Sequence, residues 1–135
     1  MKERKIIAWI YARSDSADPV EASSAAEKLL KEAEVRNWTV AGVSQDLCTG
    51  ISLERPGMRE VMRAIHNGLA NAVLIESLEQ ISGFKLECRL FLRFLQDHDA
   101  ILIGVDADLR YELWITGLET TLIERAVRKH YGVPW

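Results

Sequence analysis

Ile6-Ile7-Ala8-Trp9-Ile10-Tyr11-Ala12-Arg13-Ser14-Asp15-Ser16 is the stretch whose reading decides the fold. It starts as an apolar, strand-forming run and stops abruptly in Arg-Ser-Asp-Ser. A buried strand over about Lys5 to Ala12 would deliver an arginine and hydroxyls at its carboxyl end, where open α/β sheets bind ligands.

Outward from that strand, Asp18-Pro19-Val20-Glu21 opens a helix. Asp18 reads as its N-cap, Pro19 as its first residue and Glu21 as the partner in a capping box. Ala22, Ala25, Ala26, Leu29, Leu30 and Ala33 give that helix a narrow apolar face. Trp38 to Ser44 reads as a second strand, and Asp46 to Glu54 as a loop. Pro56-Gly57 begins a helix with Met58, Val61, Met62 and Ile65 inward, stopped by Asn67-Gly68. Asn71 to Ser77 carries the continuous run Ala72-Val73-Leu74-Ile75, as expected of a strand covered on both faces. A deeply buried helix follows from Ser82-Gly83, with Phe84, Cys88, Leu90, Phe91, Leu92, Phe94 and Leu95 apolar. Ala100 to Val105 is a fourth strand, Glu112 to Ile115 a short fifth, and a final helix starts at Thr116. Strands alternating with helices predict an α/β sandwich around a largely parallel sheet.

The composition fits one domain over residues 1–135. With 135 residues, 48% of them hydrophobic, the chain can bury a core without disulfides or metals. A net charge of −3 provides no global basic field for nucleic acid. Cys48 and Cys88 have no metal or redox spacing, and Cys88 falls in an apolar helical pattern. No stretch suits a signal peptide or a membrane span, so a cytoplasmic protein without cofactor, metal or membrane partner is expected.

Several residues carry a chemical reading beside a structural one. Arg13, at a strand's carboxyl end, suits bidentate clamping of phosphate or carboxylate, or a salt bridge. Ser14, Asp15 and Ser16 offer a nucleophile or phosphate contacts, or a solvated turn with no histidine near as base. Arg55 precedes a helix start, where it can reach an anion at the helix amino terminus or lie in solvent. Glu76 and Glu79 follow the third strand, and Glu79 suits acid–base work if partly buried. Cys48 and Arg55 do not form a phosphatase loop, because six residues separate them instead of five and the loop carries one glycine. His66, His98 and His130 fall at helix ends or loops and should be exposed.

In combination these residues resemble the catalytic domain of the serine recombinases, the resolvase/invertase family. Tyr11-Ala12-Arg13 is similar to the family's opening Tyr-x-Arg. Asp46-Leu47-Cys48-Thr49-Gly50 is similar to its Asp-x-x-Ser-Gly loop, and Arg55-Pro56-Gly57-Met58 to its pre-helix arginine. Leu74 to Gly83 follows the hydrophobic pattern of its third segment. The resemblance covers about residues 5 to 125. It implies a resolvase-like three-layer sandwich, with a four- or five-stranded sheet and helices on both faces. It also implies DNA cutting by serine attack on a phosphodiester, with arginines neutralising the developing charge.

The chain departs from that pattern at the chemistry. The nucleophilic serine position falls on Asp15, between Ser14 and Ser16. The acidic residue of the third segment is kept as Glu79, but its arginines become Gln80 and Gly83, and a first-helix glutamine becomes Ala26. Loss of one preorganised donor costs on the order of 10²–10³ in rate. A carboxylate about 4 Å from a phosphate repels it by roughly 4 kcal/mol at an effective dielectric of 20. The expected protein is therefore a family member inactive in strand transfer, acting as a binding, regulatory or self-associating module. Arg13 and Arg55 would contact DNA phosphate, and Ile115, Leu118, Leu122 and Ala126 of the last helix would support a homo-oligomer. The alternatives are a recombinase working through Ser14 or Ser16, and a domain holding a small anion between Arg13 and Arg55. No helix-turn-helix domain is expected in this chain.

Overall fold

The first strand, β1 (Ile7–Ser14), is the hinge between two cores, because its alternate side chains enter opposite layers. The protein is described here from a computed structural model that covers residues 5–15, 17–48, 53–82 and 85–105. After β1 come α1 (Val20–Val35), β2 (Thr39–Leu47), α2 (Pro56–His66) and β3 (Ala72–Ile75). A 3-10 turn (Leu78–Gln80), α3 (Lys85–Asp97) and β4 (Ile101–Gly104) follow. The four strands are parallel in the order β2-β1-β3-β4. The expected fifth strand and last helix lie outside the described residues.

Ala8, Ile10 and Ala12 meet Ala22, Ala26, Leu29 and Ala33 of α1 in one core. Alanines on both sides let helix and sheet approach closely. Tyr11, Val73 and Ile75 meet Met58, Val61 and Ile65 of α2 and Cys88, Phe91 and Leu95 of α3 in the other core. This is the expected three-layer arrangement, with helices on both faces. β3 and β4 are buried along their whole length, which explains why their sequences do not alternate.

Several local expectations change. α1 begins at Val20, one residue later than expected, and Pro19 precedes it. The N-cap is therefore Pro19 and not Asp18, which lies one position outside it and accepts the Val20 N–H on Oδ1 at 3.0 Å. Glu21 completes no capping box. It accepts a hydrogen bond from the Ser14 hydroxyl instead. Leu30 and Leu90 are 39% and 50% exposed, so each helix buries a narrower stripe than its apolar residues suggest. β2 runs on to Leu47, which turns Asp46 from a loop residue into a buried strand residue.

The register of β2 decides what faces the second core. Ala8 pairs with Val40 but Trp9 pairs with Gly42, so Ala41 is an extra residue in a bulge. Before the bulge Val40 packs on the α1 core. After it, Gly42, Ser44 and Asp46 point to the side of Trp9 and Tyr11, because a one-residue shift exchanges the two faces. The Trp9 indole N–H then donates to the Ser44 hydroxyl at 2.7 Å. Gly42 leaves room for that indole, since a Cβ there would lie 2.4 Å from its ring carbons.

α2 docks against the end of β2 just as closely. A Cβ on Gly57 would lie 2.7 Å from the Gln45 carbonyl oxygen and 2.8 Å from Asp46 Oδ2. Gly→Ala inside a helix ordinarily stabilises by about 0.5–1 kcal/mol. At Gly57 the sign reverses, because backbone on both sides must separate. Urea denaturation of Gly57→Ala should show a loss of about 1–3 kcal/mol.

Candidate functional site

The strand order places the reversal of chain direction between β1 and β3, and ligands in open α/β sheets bind outside the carboxyl ends at that point. Arg13, Arg55, Asp46 and the 3-10 turn meet there.

Asp46 is the centre of the arrangement. It is 4% exposed. Its Oδ1 accepts the Gly57 N–H at 2.8 Å, and its Oδ2 accepts the Met58 N–H at 3.0 Å and the Tyr11 hydroxyl at 2.7 Å. A carboxylate on free amides at a helix amino terminus is favoured by hydrogen bonding and by the helix dipole. Burial pushes the Tyr11 phenol far above its ordinary range. Arg55 opposes that shift, and the bond to Asp46 adds to it. Tyr11 is therefore a neutral hydrogen-bond donor throughout the physiological range.

Arg55 immediately precedes α2 and is 3% exposed. Its guanidinium carbon lies 5.7 Å from the centre of the Tyr11 ring, and Nη2 donates to the Ile81 carbonyl. Nε and Nη1 are buried with no hydrogen-bond partner among the described residues. Buried guanidinium donors of this kind are costly unless something accepts from them.

Arg13 presents the opposite case. Its Nε donates to the Gln80 carbonyl at 3.2 Å, its Nη2 to the Glu79 carbonyl at 2.6 Å and its Nη1 to the Cys48 carbonyl at 3.0 Å. Nη1 also forms an ion pair with the Asp15 carboxylate. The guanidinium thus binds the 3-10 turn to the ends of β1 and β2. Gln80 reinforces this. Its Oε1 accepts the Arg13 N–H at 2.9 Å and its Nε2 donates to the Arg13 carbonyl at 3.3 Å, as a neighbouring strand would. An arginine has no acceptor and could not make this pair.

The remaining predicted site residues divide between the faces. Asp15, adjoining Arg13, has a side chain 74% exposed. Ser14 is buried on the α1 side, where its hydroxyl donates to Glu21 Oε2 at 3.1 Å, away from the face that carries Tyr11 and Arg55. Glu79 is exposed and contributes its carbonyl to Arg13, while Glu76 pairs with Lys28 of α1 at 3.2 Å. Ser16 lies outside the described residues. Among the described residues, no group of three or more His, Cys, Asp or Glu could hold a metal. Sequence reasoning missed Gln80 and Glu21 as bonding partners. It also missed Asp46 as a cap, because local capping rules look next to the helix start and Asp46 lies ten residues before Pro56.

The family model described as the resolvase N-terminal domain matches residues 8–114. No curated protein shows a significant match. Among solved structures, the chain is similar to the N-terminal catalytic domain of TP901-1 integrase, with 19% identity and a TM-score of 0.77, over 91% of this chain and 93% of that one. It is similar to the C-terminal catalytic domain of ISC1926 TnpA, an IS607-like serine recombinase, with 17% identity and a TM-score of 0.71, over 93% and 80%. It is also similar to a resolvase family site-specific recombinase from Streptococcus pneumoniae, with 16% identity and a TM-score of 0.69, over 95% and 89%. At these identities the likeness is one of fold. Among the described residues, no helix is long and apolar enough to cross a membrane.

The buried phenol predicts an alkaline limit on stability. The folded-state value of Tyr11 lies above its unfolded value of about 10, so its contribution is intact below about pH 10 and is lost as pH rises further. Tyr11→Phe should cost about 1–2 kcal/mol at neutral pH through the lost bond to Asp46. It should also flatten the fall in urea midpoint between pH 10 and 11.

Proposed function

The chain belongs to the resolvase N-terminal domain family, and on that premise we propose that it is a serine-recombinase catalytic-type domain that no longer transfers strands and serves as a binding and self-associating module. The observation that carries this reading is the ion pair between Arg13 and Asp15. Asp15 stands where the family register expects the nucleophilic serine. Its carboxylate occupies a donor that a phosphodiester would need, and it adds a negative charge where the incoming group is negative. Three of the four remaining N–H groups of the Arg13 guanidinium are committed to backbone carbonyls. Gln80 occupies a family arginine position and is committed to the Arg13 backbone. Strand transfer asks for several cations aimed at one phosphate. Arg55 alone is left with buried, unpartnered donors among the described residues.

The binding role rests on that same guanidinium. An orphaned donor pair beside an aromatic face suits one phosphate or carboxylate oxygen. It supports a single phosphate contact, with DNA as the polymer the family acts on. Self-association through the helix expected from Thr116 onward and a cytoplasmic setting complete the proposal. The rival reading, strand transfer through Ser14, fits poorly with a hydroxyl turned to Glu21 on the opposite face.

Incubation with nicked half-site DNA followed by denaturing electrophoresis tests the inactive reading, and no covalent adduct is expected. An adduct that disappears in Ser14→Ala or Ser16→Ala would overturn it. Fluorescence anisotropy at fixed low salt tests the contact. Asp15→Asn should tighten binding of a short oligonucleotide by a few-fold to about tenfold, below the Coulomb limit because solvent and salt screen the exposed carboxylate. Tight nucleotide binding without oligonucleotide binding would favour a small-anion domain instead.

A further inference from the structure

Away from the β1/β3 crevice, the carboxyl ends of α2 and α3 bring two imidazoles together. His66 is the last residue of α2 and exposed, and His98 follows α3 and is half-buried. His66 Nδ1 lies 3.1 Å from His98 Nε2. Both backbones are held. α2 ends in a turn where Leu69 N–H donates to the Ala64 carbonyl and Gly68 adopts φ +73°, and α3 ends where Ala100 N–H donates to the Leu95 carbonyl and Asp99 adopts φ +54°.

The tautomer of His98 follows from its surroundings. Its Nδ1 lies 2.8 Å from the Phe94 carbonyl, which can only accept, so Nδ1 carries the proton and Nε2 has its lone pair towards His66 in the neutral ring. The Phe94 ring, 4.2 Å away between centres, supports the imidazole in that orientation. A histidine held by a backbone carbonyl through one nitrogen, with the other nitrogen unprotonated, has the outer-shell arrangement of a metal ligand. In the metal-free protein His66 Nδ1–H donates to the His98 Nε2 lone pair, and because His66 is exposed its proton can move to Nε2 when a cation takes its place between the two nitrogens.

The spacing fits chelation. Two nitrogens about 2.0–2.1 Å from one ion, at an angle between about 90° and 109°, lie about 2.8–3.4 Å apart, and the observed separation falls within that range. The two helix carboxyl ends also place their negative dipole ends at this point, which favours a cation. Arg63 in the last turn of α2 opposes it, and Asp97 and Asp99 flank His98 with acidic charge.

We propose that His66 and His98 form a two-histidine chelate for a borderline divalent cation of the zinc or copper(II) class, stapling the carboxyl ends of α2 and α3. Water completes the coordination. With two protein ligands the affinity is sub-millimolar but far weaker than that of a four-ligand structural site. Copper(II) binds more tightly than zinc, following the general order for nitrogen ligands. The staple sits at the end of α2 opposite Arg55, so it raises stability without completing the crevice.

Calorimetric titration of the full chain, free of any affinity histidines and kept reduced, tests this with zinc chloride and copper(II) glycine. One ion per chain is expected in that affinity range, with a rise in Tm at saturation. His66→Ala and His98→Ala should each weaken binding at least tenfold and remove the Tm rise, while Cys48→Ser and His130→Ala leave both unchanged. His66 is exposed, so His66→Ala decides the matter if His98→Ala folds poorly. The proposal is overturned if zinc and copper(II) bind no tighter than millimolar. Binding that survives His66→Ala, or that is lost in Cys48→Ser or His130→Ala, overturns it equally.

Discussion

The Asp46 carboxylate ties the start of α2 to β1 and β2, two strands that already pair through their backbones. It accepts two amide hydrogens from the start of α2 and the hydroxyl of Tyr11 in β1, while its own backbone lies in β2. Removing it would strand two N–H groups and a phenol in a buried environment, and each would cost about 1–3 kcal/mol. The position of Arg55 depends on it, because Arg55 immediately precedes the helix that Asp46 anchors. Its guanidinium then rests over the ring that Asp46 holds in place.

Asp46 reaches this position through the bulge at Ala41. Without the extra residue, Val43, Gln45 and Leu47 would face the second core, and Asp46 would face the side of α1. The bulge leaves Val43 and Leu47 about two-fifths exposed, and puts Ser44 and Asp46 within reach of Trp9 and Tyr11. A local irregularity in an edge strand thus sets the polar content of the interior.

At the crevice, the same economy of partners separates the two arginines. Arg13 is spent on holding the 3-10 turn, and Gln80 completes that attachment through the backbone. Arg55 has buried donors left over among the described residues. The crevice therefore presents one guanidinium with buried donors unpartnered among the described residues and an acidic group beside the other arginine.

Much of this was legible from local pattern. The continuous runs of β3 and β4, the alanine face of α1, the Pro56 start and the Gly68 stop depend on neighbours within a turn or two, so periodicity and capping chemistry identify them. The family likeness was legible for the same reason, since Tyr11-Ala12-Arg13, Asp46 and Arg55 keep their order and spacing along the chain. The sequence by itself determined the layered α/β fold and the aspartate at position 15. Only the tertiary structure decided which side chains share a face and which donors are already occupied. Those outcomes rest on contacts between residues 35 apart for Tyr11 and Asp46, 67 apart for Arg13 and Gln80, and 32 apart for His66 and His98. Strand register brings such pairs together, and a single bulge residue reverses which face they share.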